Sequence, residues 1–101
     1  TEAVVCVSDL TAFGAATECM RRGLSIPGDI ALAGFGGYEL AALFHPTITT
    51  IDPRPEEIGL RTARLITSVL KSSADTPEPQ LIEIAPQLRA GASTVRDVGL
   101  S

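Results

Sequence analysis

The sequence has a single histidine, His45, and only two cysteines, Cys6 and Cys19. With no Cys-x-x-Cys pair and no histidine at ligand spacing, a zinc site is not expected and free thiols are the default; no metal or cofactor is expected. His45 stands before Pro46 in a loop, without a cysteine or serine in an activating motif beside it. Glu56 and Glu57 open a predicted helix and are not placed as an acid–base pair. No catalytic residue is assigned, and an enzyme is not expected; a small α/β enzyme would need a nucleophile or an acid–base pair that the chain does not offer. Basic residues are also few, eight Lys and Arg against twelve Asp and Glu, for a net charge of −4. That balance opposes attraction to phosphate backbones, which depends on clustered cations displacing counterions. The one basic pair, Arg21 and Arg22, falls near a predicted helix C-terminus, where cations complement the macrodipole. No apolar run approaches the roughly 18 residues that span a bilayer, and no signal peptide is recognised. The chain begins with Thr1 instead of Met and is read as an excised fragment.

Against these absences, 45% of the residues are hydrophobic and 20% charged, a balance that favours a folded chain over extended disorder. Its length of 101 residues allows one small core. AVVCVS at 3–8 is a Val-rich run suited to a strand covered on both faces. Ser8 or Asp9 can cap the helix predicted from Leu10 to Arg22, whose apolar side recurs at Leu10, Phe13, Ala16, Thr17 and Met20 before Gly23 stops it. IALAGF at 30–35 is a second covered strand. Two buried strands joined by a helical crossover make a parallel βαβ unit and an α/β fold.

Gly36 and Gly37 break the second strand, a short helix is predicted from Tyr38 to Phe44, and HPTITTID is β-prone. Pro55, Glu56 and Glu57 then open a helix over 55–71 with an apolar stripe of Ile58, Thr62, Leu65, Ile66, Val69 and Leu70. Residues 72–79 read as an exposed connector, 81–85 (LIEIA) as a half-buried strand, 88–94 as a last extended stretch, and the rest as a fraying tail.

In open α/β sheets ligands bind beyond the carboxyl ends of the strands. Here those ends carry Ser8 and Asp9 on one strand and Phe35, Gly36 and Gly37 on the next. A hydroxyl, a carboxylate, an aromatic face and bare backbone N–H groups together suit a polyol or an anion. The other reading is that Asp9 only caps the helix and the glycines only turn the chain. The Gly-Phe-Gly-Gly run lacks the G-x-G-x-x-G spacing and is not a dinucleotide fingerprint.

Taken in order, VVCVSDLTAFGAATECMRRGLSIPGDIALAGFGGYELAALFHPTITTID, then EEIG, then AGAST resemble the second half of LacI/GalR-family regulators. In that family a strand ending in Asn-Asp or Ser-Asp precedes an alanine-rich helix, followed by G-L-x-x-P-x-D, a strand ending G-F/Y-D, and P-x-L/I-T-T-I/V. The resemblance implies a fragment of a two-subdomain core like type I periplasmic sugar-binding proteins. Residues 1–51 would belong to the C-terminal effector-binding subdomain, 52–84 would cross to the N-terminal one, 85–94 would return, and 95–101 would be the tail. It also implies effector contacts at Ser8, Asp9, Phe35, Gly36 and Gly37, and a homodimer interface at Phe13, Leu43 and Phe44, three apolar residues that could equally fill the chain's own core.

Gly36 departs from the family pattern by replacing the aspartate of G-F/Y-D. Loss of that carboxylate removes a repulsive charge, so a sugar acid such as gluconate is the expected effector, as in the gluconate-repressor branch. The implied protein is a cytoplasmic regulator that reaches operator DNA only through a head domain outside these residues and has no membrane partner. A periplasmic sugar-binding receptor with the same core is the alternative.

Overall fold

The computed structural model describes residues 2–72 and 78–96. Most of the predicted connector (73–77) and of the predicted tail (97–101) lie outside the described residues. The chain runs β1 (Ala3–Val5), α1 (Asp9–Arg21), β2 (Ala31–Ala33), α2 (Glu39–Leu43), β3 (Thr50–Asp52), α3 (Pro55–Lys71) and β4 (Gln87–Arg89), then a 3-10 turn at Ala92–Thr94. β1 and β2 pair in parallel with Val4 opposite Leu32, and α1 is their crossover. The predicted α/β unit is therefore present. β3 follows beside β2 in the same direction, joined by a parallel bridge between Ala33 and Thr49. β4 comes back antiparallel to β3, with Ile51 opposite Leu88.

Local chemistry sets the limits of α1. Ser8 is extended and its hydroxyl accepts the Thr11 N–H at 3.3 Å, satisfying one of the helix's free donors. At the other end Gly23 takes a positive φ of 72°, the Leu24 N–H reaches the Cys19 carbonyl and the Gly23 N–H the Met20 carbonyl. This is a Schellman stop, which a side chain at position 23 would strain. Arg21 and Arg22 both bind Glu18 on the exposed face, and those bonds, led by Arg21, hold the Glu18 carboxyl below its ordinary range. The basic pair is thus satisfied within its own helix.

The inner face of α1, Ala12, Phe13 and Ala16, packs with Cys6, Leu32, Ala41 and Ile48 to form the core. Phe13 stacks on Phe44 with ring centroids 5.2 Å apart. Burial pushes the Cys6 thiol up from its usual value; neither it nor Cys19 is in a disulfide.

The structure corrects three expectations. β1 is not interior: Val5 and Val7 are 81% and 85% exposed, because among the described residues only one edge of the strand is paired. Residues 81–85 form no strand, and Leu81 is exposed. Alternation yields a strand only where an edge is available, and the edge of β3 is met instead by Gln87–Arg89. The stretch predicted as extended over 88–94 tightens into a 3-10 turn after Gly91. A Cβ at Gly91 would lie 2.6 Å from the Thr47 carbonyl oxygen, so only glycine lets the two backbones approach there.

α3 opens at Pro55 with Glu56 and Glu57 in its first turn, as its sequence requires. None of its residues is buried, and Ile58, Ile66 and Leu70 stand exposed. Together with residues 80–84 it lines an apolar hollow of about 400 Å³. The molecule is correspondingly long, 66 × 28 × 23 Å.

Candidate functional site

The carboxyl ends of β1, β2 and β3 lie side by side. The Asp9 N–H donates to the Phe35 carbonyl at 2.9 Å, and the Gly36 N–H to the Ile51 carbonyl at 2.8 Å. Ser8 and Asp9, Phe35 to Gly37, and Asp52 to Arg54 therefore form one row at a single edge of the molecule.

Asp9 holds this row together. It is fully buried, and its Oδ1 accepts the Thr50 hydroxyl at 2.7 Å while its Oδ2 accepts the Tyr38 N–H at 2.9 Å. One carboxylate thus joins the start of α1 to β3 and to the start of α2. The approach demands Gly34, where a Cβ would stand 2.3 Å from Asp9 Oδ1. Water does not reach Asp9 in this chain, and each of its oxygens already accepts a hydrogen bond. The glycine amides are engaged as well. The Gly36 N–H is bonded to Ile51, and the Gly37 N–H donates to Thr50 Oγ1 at 3.1 Å, so neither amide is free to meet an anion.

The glycines carry φ angles of 129° and 65°, a turn that L side chains resist. A Cβ at Gly36 would come within 2.8 Å of the Tyr38 ring, and one at Gly37 within 3.0 Å of the Asp52 Cα. Phe35 and Tyr38 are each more than two-fifths exposed, and Ser8 is half-buried with its hydroxyl on Thr11. The groups that line the open edge are thus Ser8, Phe35 and Tyr38.

Sequence reasoning missed the charged part of the row. Arg89, at the end of β4, binds the Asp52 carboxylate through Nη2 and reaches the Gly37 carbonyl through Nη1 at 3.4 Å. Asp52 is buried and its other oxygen accepts the Arg54 N–H at 2.8 Å. Arg54 itself is left-handed, with φ 62° and ψ 60°, at the entrance to α3. A polar hollow of about 370 Å³ opens here between Gly37, Asp52, Arg54, Gln87 and Arg89, with Glu39, Glu56 and Glu57 also on its wall. A hydrogen bond from Arg61 holds the Glu57 carboxyl below its ordinary range. No local signal points to Arg89, because its partners lie 52 and 37 residues earlier. Among the described residues, no three His, Cys, Asp or Glu side chains are grouped to hold a metal ion, and no helix is long and apolar enough to cross a membrane.

Residues 1–94 match the periplasmic binding protein-like domain family. The chain belongs to that family. Over these residues it is similar to LacI-family transcriptional regulators. It is 30% identical over 92 residues to the HTH-type transcriptional regulator GntR of Escherichia coli K12, an alignment covering 91% of this chain and 27% of that protein. It is 29% identical over 86 residues to the HTH-type transcriptional repressor PurR of Actinobacillus pleuropneumoniae, covering 85% of this chain and 26% of the repressor. Both relatives are transcriptional regulators, not enzymes.

The crystal structure of a LacI-family transcriptional regulator from Silicibacter pomeroyi superposes with a TM-score of 0.82 at 31% identity, over 93% of this chain and 32% of that one. Two further matches are complexes with sugars: CelR with cellobiose, at TM-score 0.83 and 26% identity over 92% of this chain and 28% of that one, and a LacI-family regulator from Arthrobacter with lactose, at 0.84 and 26% over 94% and 35%. The chain spans about a quarter of the length of the curated relatives and about a third of the solved chains.

Proposed function

We propose that this chain is the effector-binding and dimerisation portion of a cytoplasmic LacI-family regulator that senses a sugar or a sugar acid, with a gluconate-like acid favoured, and that reaches operator DNA through a head domain outside these residues. In this reading residues 1–51 and 85–94 belong to one subdomain, 52–84 cross to the other, and 95–101 form the tail. The observation that carries it is the row of adjacent strand ends, joined by the 2.9 Å bond from Asp9 to Phe35, in a family whose relatives include complexes with cellobiose and lactose. Support for an acid comes from Gly36, which leaves no carboxylate at that position, and from the 30% identity to GntR. Ser8 and Phe35 contact the effector, whereas Asp9, Gly36 and Gly37 shape the edge that receives it. Binding changes the closure of two subdomains, and so the separation of two DNA-binding heads, only to the extent that the effector prefers one state.

Calorimetry on the full-length protein tests the effector class. Saturable binding of gluconate, with no heat from glucose or galactose, is expected. A protein that binds glucose or galactose and ignores gluconate would refute the acid.

The dimer surface centres on Leu43, which is 79% exposed. Phe44 supports it from the half-buried side, and Phe13 supports Phe44 from the core. Leu43→Asp is expected to give a folded monomer by light scattering, since a charge facing the partner must be desolvated while a charge facing water costs little. A dimer of undiminished stability would remove Leu43 from the interface. Leu43 is a cleaner site for this test than Phe44, whose replacement also strips a stacking partner from Phe13.

A further inference from the structure

The edge that carries the strand ends has a cation set against the glycine turn. Arg89 is 54% exposed at its side chain and lies on the walls of both hollows beside the turn, the polar one below Gly37 and the apolar one beside Tyr38. Its guanidinium is held at two points, the Asp52 carboxylate and the Gly37 carbonyl. Two of its five N–H donors are engaged there, and the other three have no partner among the described residues. Asp52 is buried, with its second oxygen on the Arg54 N–H, so the anchor is fixed while the guanidinium stays accessible.

We propose that Arg89 is a specificity-determining residue of the effector site, a preset fork that takes the carboxylate of a sugar acid at the Gly36–Gly37 turn. The chemistry is that of a planar guanidinium meeting a planar carboxylate through parallel N–H···O bonds. Three features of the site favour it. Gly36 projects no side chain, so an anion can approach the turn without repulsion from its own residue. The amides of the turn are both bonded within the chain, whereas the Arg89 guanidinium already reaches the turn at the Gly37 carbonyl. The tie to Asp52 fixes the guanidinium before a ligand arrives, which lowers the ordering cost of binding. Hydroxyls of the same ligand face Tyr38 and Glu39, which line a hollow together with Arg89 and suit a polyol.

This inference rests on the sugar-acid reading above, and its test separates the two. Full-length wild type, Arg89→Gln and Arg89→Lys are titrated with gluconate, glucuronate and galacturonate and with their neutral counterparts sorbitol, glucose and galactose, and each variant's unfolding midpoint is recorded. Arg89→Gln is expected to weaken the acid bound by wild type by about 10- to 100-fold, as loss of a charged hydrogen-bonding partner does. Arg89→Lys keeps a cation for Asp52 but not the fork, and is expected to show a smaller loss confined to the acid. Should Arg89→Gln fail to fold, the lysine variant alone carries the comparison. Acid binding by wild type that both folded variants retain unchanged would overturn the role of Arg89 and leave the sugar-acid reading standing. A wild type that binds a neutral sugar and none of the acids would overturn both, and leave the family's sensing role intact.

Discussion

Replacing Asp9 with alanine is expected to be among the most destabilising single changes in this chain. The side chain is wholly buried, and its removal takes away the acceptor that the Thr50 hydroxyl and the Tyr38 N–H share. Each orphaned group costs about 1–3 kcal/mol, so a loss of about 2–6 kcal/mol is expected. That is a large share of the about 5–15 kcal/mol by which a typical domain is stable. The cavity left where Gly34 now touches the carboxylate adds to the loss. Asp9→Asn, which keeps one acceptor oxygen in place, is expected to fall between alanine and wild type. Thermal unfolding of the full-length protein checks the order, and an Asp9→Ala variant that melts with wild type would show that the tie is dispensable. Because the tie sets the spacing of the strand ends, effector affinity is expected to fall in both variants, more steeply in alanine.

The second large effect is expected at Ser93, in the returning segment. Its hydroxyl, fully buried, donates to the Leu32 carbonyl and accepts the Thr49 N–H at 2.9 Å. A two-atom side-chain end thus closes gaps on two neighbouring extended segments at once. Ser93→Ala leaves a buried carbonyl and a buried amide unpaired, for an expected cost of about 2–4 kcal/mol. Hydrogen exchange gives the sharper readout: the Thr49 amide, whose acceptor is the lost hydroxyl, is expected to exchange faster in the variant than in wild type. The neighbouring Thr94 offers a control. Its hydroxyl lies 2.6 Å from the Thr49 hydroxyl but the residue is exposed, so Thr94→Val is expected to cost less, water taking over the bond. Equal effects at 93 and 94 would contradict the assignment.

Both residues mark the boundary of what sequence reasoning reached. The crossover unit was legible because its signals are local: two short apolar runs, Ser8 ahead of α1 and Gly23 behind it. α3 was legible for the same reason, from Pro55 and the acids of its first turn. Ser8, Asp9 and the Phe35–Gly37 segment were recognised as neighbouring strand ends, and the structure brings them together. Their individual roles were not legible. Asp9 looks from its neighbours like a cap or a ligand contact, whereas its partners lie 29 and 41 residues away. Phe13 has the spacing of an apolar helix face but nothing local says whether that face meets Phe44 or another subunit. The alternation at 81–85 is a genuine strand pattern that finds no edge among the described residues, while Gln87–Arg89 does.

The amino-acid order alone determined where helices start and stop, which runs can extend, and that the chain follows an α/β path whose second strand breaks at Gly36 and Gly37. Capping, propensity and apolar spacing act within a few residues, so no partner is needed to read them. Only the tertiary structure decided that Asp9 is an internal tie, that the glycine amides are already bonded, and that Arg89 stands over the turn. Those outcomes depend on which segment edges meet after distant parts of the chain have closed on one another, and a buried polar group takes whatever donor that closure brings within reach.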